Sequence, residues 1–498
     1  METGLGPLLD HPAPGAIERR RLAPDLEIAR VLTGLWQIAD VERRGALDLP
    51  AAAHAMREYI DAGFTTFDMA DHYGSAEDIA GLCLAQSRQS TEIQIFTKWV
   101  PQPGPVTRAR IRAAVGRSLE RLRREMVDVL QFHAWNYADP SWLDALHYLQ
   151  EECTEGRIHH LAVTNFDTAH LRIAVASGIR LLSNQVCYSL LDQRARLRMA
   201  PFCRDHGIAL FAYGTIAGGL LTERWLGSTR PPEESAATWS QLKYARFVEA
   251  AGGWAALQRV LAALQTVARR RGLSMANVAA RYILDAPGVT GIIIGARLTE
   301  RAHTADTLQL SRGSLDADDR TTIEAALGTL TSIPGDTGDE YRRPPFLTAS
   351  GDLSHHVERF PLAYAVQASP DGRERVLTGT SWESLGGFCR ALRRGNRVWI
   401  SGTTATHRDR VIGGADAAAQ LHFIIDKIDG ALQSLGGRLA DVVRTRVYVR
   451  RLTDWESVAR VHGERFGEIR PVNTLVQAGL VGDDYLVEME ADAEIAGG

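Results

Sequence analysis

From about residue 28 the chain repeats one pattern eight times: a short apolar run, then a longer stretch with apolar residues three and four apart. The runs are "ARVLTGLW", "TTFDMA", "IQIFTKWV", "VDVLQFHAW", "IHHLAVTNF", "LLSNQVCY", "IALFAYGT" and "VTGIIIGA". Between them lie "DLPAAAHAMREYIDAG", "SWLDALHYLQEECTEG" and "TAHLRIAVASG", each ending in the Gly that suits a helix stop. Strand and helix signals that alternate predict parallel strands joined by crossover helices. Eight such units in roughly 300 residues predict an α/β fold, a closed (β/α)8 TIM barrel. The connection after the seventh run, Thr215 to Gly253, is long for such a fold and is expected to serve the mouth of the barrel.

The periodicity fades after about Leu330, and "TSIPGDTGDEYRRPPFLTASGDLSHH" is rich in Pro, Gly, Ser and Asp. Further on, "RVWISGTTA", "VVRTRVYVRRL" and "YLVEMEADAEI" alternate like strands, and "AAAQLHFIIDKIDGALQSLGG" is helical in period. The chain therefore divides into a barrel at 20–330, a linker or cap segment at 331–375, and a small α+β domain at 376–498. Two units suit 498 residues, which exceed what a single ordinary core organises.

A formal net charge of −4 gives no electrostatic footprint for nucleic acid. The amino terminus lacks the apolar core of a signal peptide, and no run reaches the length that spans a bilayer. The cysteines Cys83, Cys153, Cys187, Cys203 and Cys389 are scattered without a CxxC pair, which predicts a reducing cytoplasm and no structural metal.

The polar residues inside the apolar runs carry the chemistry. Asp68 interrupts the second run, Tyr73 follows it, Lys98 stands near the end of the third and His133 near the end of the fourth. A parallel barrel gathers the carboxyl ends of its strands at one mouth, so these four side chains are expected to meet. A tyrosine is a poor acid near neutrality, and an adjacent ammonium favours its phenolate. Asp68 would hold that ammonium and His133 would bind a substrate oxygen, together a proton donor for an oxygen that gains charge. Each residue alone is equally a buried ion pair or a packed ring; the four at neighbouring strand ends are harder to explain that way.

The stretches "FDMADHYGSAE", "TKW", "QFH", "VTNF", "NQVCYSLL", "FAYGTIAGGLLT" and "IIIGARLTER", in this order, resemble the aldo-keto reductases over about residues 28 to 330. The resemblance implies NADPH (NADP) as hydride source, a small-molecule carbonyl substrate, and Asp68, Tyr73, Lys98 and His133 as catalytic residues. It implies a cofactor site of Gly34, Leu35, Trp36, Thr164, Asn165, Gln185, Tyr213, Gly214, Gly295, Ala296, Arg297 and Arg301. In it Thr164, Asn165 and Gln185 face the carboxamide, Tyr213 stacks on the nicotinamide, and Gly295 to Arg301 meet the 2′-phosphate end. Departures are Gly214 where a serine is common, and Thr304 and Ala305 where a Glu-Asn pair is common.

Residues 376 to 498 resemble the Rid (YjgF) family, which implies a chorismate-mutase-like fold and a homotrimer. Its deaminating members grip a carboxylate with an arginine, whose place here is taken by Asn473, and Phe388 stands where a tyrosine is expected. Without that fork of donors, assembly or neutral-ligand binding is the expected role. The expectation is an NADPH-dependent reductase of aldehydes or ketones. The alternatives are an NAD(P)+-dependent aldose or alcohol dehydrogenase and a non-catalytic cofactor-sensing module. The carboxyl-terminal domain is expected to drive self-association, and a barrel ending near Leu330 to remain monomeric with some activity.

Overall fold

The computed structural model describes residues 16–38, 46–87, 92–229, 231–299, 303–348 and 360–496. A hairpin not anticipated from the sequence comes first, with β1 (Arg19–Ala23) antiparallel to β2 (Leu26–Ala29). The eight apolar runs then form β3 (Val31–Gly34), β4 (Thr66–Asp68), β5 (Gln94–Trp99), β6 (Val127–His133), β7 (Ile158–Thr164), β8 (Ser183–Cys187), β9 (Ala209–Tyr213) and β10 (Val289–Gly295). All neighbours are parallel and β10 returns to β3, closing the barrel. Helices cover the outside of the strands, so both faces are dry and the strands read as continuous apolar runs; every residue of β5 is buried.

The barrel interior is packed. Leu32, Phe96, Val129, Ala162, Ala209 and Phe211 fill it, with the Phe96 and Phe211 rings edge to face at 5.6 Å. Leu22, Leu26 and Ile28 of the hairpin join the same cluster and plug the amino end. The hairpin turn is tied down where Asp25 pairs with His159 (2.7 Å) and His160 (3.3 Å) at the start of β7. At the carboxyl end the strands border a cavity.

Part of the long connection after β9 is helical, contrary to the expected loop from Thr215 to Gly253. A helix spans Trp239–Ala250, started by a capping box in which Thr238 accepts from the Gln241 backbone and Gln241 returns a bond to the Thr238 backbone. It lies across the mouth and brings Ser240, Lys243 and Tyr244 to it.

The second unit is a seven-stranded sheet built from β11 (Val366–Ala368), β12 (Arg373–Val376), β13 (Ala391–Arg394), β14 (Arg397–Thr404), β17 (Val442–Val449), β18 (Val472–Gln477) and β19 (Val487–Glu494). Its order is β11-β12-β13-β14-β19-β17-β18, and a separate small hairpin pairs β15 (Thr406–His407) with β16 (Arg410–Val411). The helix Ala417–Ser434 is buried on nearly every side because it is sandwiched between this sheet and the barrel helix Thr168–Ala176. Arg172 with Asp416 (2.6 Å), Arg408 with Asp144 (2.9 Å) and Arg198 with Glu464 (2.8 Å) join the two units across that contact.

Residues 331–348 fold over the barrel mouth. A short helix at Asp339–Arg342 sets Glu340 and Tyr341 inside, both nearly inaccessible. Phe360 returns to the same place and packs with Val100, Trp135 and Tyr341.

Candidate active site

Parallel register assembles the site. Gly295, Gly34 and Asp68 lie side by side on β10, β3 and β4, and His133, Thr164 and Gln185 do so on β6, β7 and β8. Both rows sit at the carboxyl ends of their strands and border one cavity of about 310 Å³. Asp68, Tyr73, Lys98 and His133 all line it.

Lys98 donates to Asp68 Oδ2 at 2.6 Å and to the Met69 carbonyl at 3.0 Å, and both partners of the ion pair are buried. Burial pushes the Lys98 pKa down, opposed by the charge and hydrogen bond of Asp68. The Lys98 ammonium lies 5.2 Å from the centre of the Tyr73 ring. That ring is set edge-on against Trp36 at 5.0 Å. His133 packs on Trp135 with ring centres 4.4 Å apart.

The other Asp68 oxygen accepts from Gln131 (2.9 Å) and Gln185 (2.7 Å), and Gln185 also donates to Gln131 Oε1 at 3.0 Å. Gln131 was not among the expected site residues. Its signal was present, since a polar residue two places before His133 on an inward-facing strand shares its face.

Thr164, Asn165, Gln185, Tyr213, Gly214, Gly34, Trp36, Gly295 and Arg297 also border the cavity. Asn165 adopts a left-handed backbone (φ 57°), and its side-chain oxygen accepts from the Tyr213 hydroxyl at 2.8 Å. Burial pushes the Tyr213 pKa well up, so that hydroxyl keeps its proton and donates. Leu35 and Ala296 are buried behind the rim, where their amides bond the Asp68 and Gly34 carbonyls. Arg301 lies outside the described residues. The absent serine at Gly214 has a steric reason: with φ 75°, a Cβ there would stand 2.2 Å from the Tyr244 hydroxyl oxygen.

Two further residues come from parts of the chain with no barrel pattern. Tyr341 faces His133 (5.2 Å between rings), and its hydroxyl lies 3.3 Å from that of Tyr213. Lys243 donates to the Tyr341 hydroxyl at 3.0 Å and stands over the rings of Tyr213, Tyr244 and Tyr341 at 5.0 to 5.7 Å. Glu340, beside Tyr341, pairs with buried Arg194 at 2.8 Å, and Arg194 is held in turn by Asp192. Nothing local in "DEYRRPP" marks these residues as part of an active site.

Polar groups of the kind that a nicotinamide cofactor would meet border the cavity. The amides of Asn165 and Gln185 stand on the β7 and β8 side, the Arg297 guanidinium follows β10, and Gly34, Gly214, Gly218, Gly219 and Gly295 border the cavity among them.

The Aldo/keto reductase family model matches residues 30–327, and the Endoribonuclease L-PSP model matches residues 378–495. The aldo-keto reductase YhdN of Bacillus subtilis is 26% identical over 333 residues, covering 64% of this chain and 96% of that protein. The glycerol dehydrogenase AKR11B4 of Gluconobacter oxydans has the same barrel fold, at a TM-score of 0.53 and 22% identity over 68% of this chain and 98% of its own. A YjgF/YER057c/UK114-family protein of Mycobacterium tuberculosis is 42% identical over 25% of this chain and 99% of its own, with a TM-score of 0.23. The two family models lead to one assignment: the chain belongs to the aldo/keto reductase family of oxidoreductases and carries a YjgF-type domain at its carboxyl end.

Proposed function

We propose that the barrel reduces an aldehyde or ketone to an alcohol with NADPH. The observation that carries this reading is the buried Lys98–Asp68 pair beneath Tyr73, with His133 across the same cavity. A bound nicotinamide supplies the hydride. The protein supplies the proton: Tyr73 gives it to the carbonyl oxygen, and Lys98 stabilises the phenolate left behind. Asp68 keeps Lys98 in place and is itself fixed by Gln131 and Gln185, so the group that tunes the acid is rigid. His133 hydrogen-bonds the substrate oxygen as charge develops there. Trp36, Trp135 and Tyr341 give the substrate end apolar walls. Loss of nicotinamide absorbance with a panel of aldehydes and ketones tests the reading; a chain that binds NADPH and turns over none of them would overturn it.

Arg297, half-buried at the cavity rim, is suited to pair with a 2′-phosphate, and Arg301 would join it. Replacing both by Ala is expected to raise KM for NADPH by about tenfold while moving KM for NADH little. Equal changes for both cofactors would show that these arginines do not read the phosphate.

We further place the chain in the cytoplasm as a homotrimer joined through its carboxyl-terminal domain. Its described cysteines are free, and no described helix is long and apolar enough to cross a membrane. The domain's sheet exposes Trp399, Val443, Val472 and Val476, an apolar set that assembly would cover. Sedimentation of the full chain is expected to give three times the monomer mass; a monomer excludes the assembly. Imine hydrolysis is not part of the reading, because Asn473 accepts from Thr445 at 3.1 Å and offers no guanidinium.

A further inference from the structure

The two units meet at a charge cluster that reaches the turn whose Asn165 lines the cavity. His170, 1% exposed, has both ring nitrogens on carboxylates: Nδ1 at 2.6 Å from Asp167 of the barrel and Nε2 at 2.8 Å from Asp426 of the carboxyl-terminal domain. A ring that meets a carboxylate at each nitrogen donates at both, and so is the imidazolium. Tyr137 stacks on it, with centres 3.4 Å apart and planes 6° from parallel, and Arg342 of the cap segment lies 4.3 Å from the Tyr137 ring. Asp426 uses its second oxygen to bind Arg465 at 2.7 Å.

What this cluster holds is the turn after β7. Asp167 caps the helix Thr168–Ala176 through the His170 amide. Two residues earlier stands Asn165 in the left-handed backbone region, which asparagine adopts more readily than other non-glycine residues. The cap segment grips the same turn: Arg342 donates to the Asn165 carbonyl at 2.7 Å, Thr337 to that of Phe166 at 3.2 Å, and the Thr168 amide donates to Asp336 at 3.0 Å.

We propose that the carboxyl-terminal domain is a positioning element of the reductase: Asp426 fixes His170, His170 fixes Asp167, and the turn so held presents Asn165 to Tyr213 and the cavity. The domain thus serves the barrel in the same chain, by a route that needs none of the catalytic residues that YjgF-type deaminases use. The inference rests on the cofactor reading given above for its consequence, and on the observed contacts alone for the clamp.

The test is made on the full chain with Asp426→Ala, the milder Asp426→Asn, and Arg408→Ala, which breaks an ion pair at the same interface but on the helix Ser141–Thr154, away from the turn. Hydrogen–deuterium exchange of the peptide spanning 164–170, measured without cofactor, is expected to quicken in both Asp426 variants and stay native in Arg408→Ala. The NADPH Kd is expected to rise about tenfold in Asp426→Ala, with kcat at saturation changing much less. Unchanged exchange in the Asp426 variants overturns the proposal, as does an equal change in Arg408→Ala, which would show simple loosening of the interface. If the native chain binds no nicotinamide cofactor, the reductase reading falls, while the exchange comparison still decides the clamp.

Discussion

Tyr73→Phe is expected to cripple the proposed carbonyl reduction and to leave NADPH binding intact. In the proposed mechanism the phenol acts on the substrate oxygen, and the substitution deletes one atom while keeping the ring that packs on Trp36. General acids of this kind contribute about 10²–10⁴-fold in rate, so kcat is expected to fall within that range. Cofactor Kd, read by quenching of protein fluorescence, should stay within about twofold, a difference of a few tenths of a kcal/mol. Native turnover in the variant would remove Tyr73 from the chemistry and leave Lys98 and Asp68 as a structural ion pair.

The second large effect comes from outside the barrel's own sequence. A chain ending near Leu330 is expected to lose reductase activity by about 10²-fold or more, the scale set by misplaced catalytic geometry. This reverses the expectation that the isolated barrel keeps activity, and the reason is Tyr341. Its removal opens the cavity beside His133 and takes from Lys243 the hydroxyl it donates to. Loss of Glu340 leaves buried Arg194 with Asp192 alone, and a buried charge that loses a partner is costly. Tyr341→Ala in the full chain separates the cap from folding of the fragment: it should raise KM for the carbonyl and lower kcat together, with the chain still folded at assay temperature but melting lower, since a buried ring is lost. Full activity in both the fragment and this variant would show that the barrel mouth is complete without the cap.

The β-strands and the four residues at their ends could be read from the chain because both signals are local. A strand buried on both faces must be a continuous apolar run, and a polar residue inside such a run is conspicuous wherever it stands. Asp68, Lys98, His133 and Gln185 each show this, and Gln131 shows it too. Parallel pairing then does the rest, because it aligns strand ends in a fixed register.

The hairpin β1–β2, the helix Trp239–Ala250, the cap at Tyr341 and the His170–Asp426 clamp were settled only by the tertiary structure. The hairpin is short, and its apolar side chains look like part of the first strand until the barrel floor they plug exists. Lys243 and Tyr341 meet from segments about a hundred residues apart, and His170 and Asp426 across 256. Asp426 sits on a helix buried on nearly every side, where a carboxylate has no place unless something across the interface is charged to receive it. Local sequence dictates which backbone a segment adopts; which distant charge it answers to depends on how the two units dock, and the chain carries no periodicity for that.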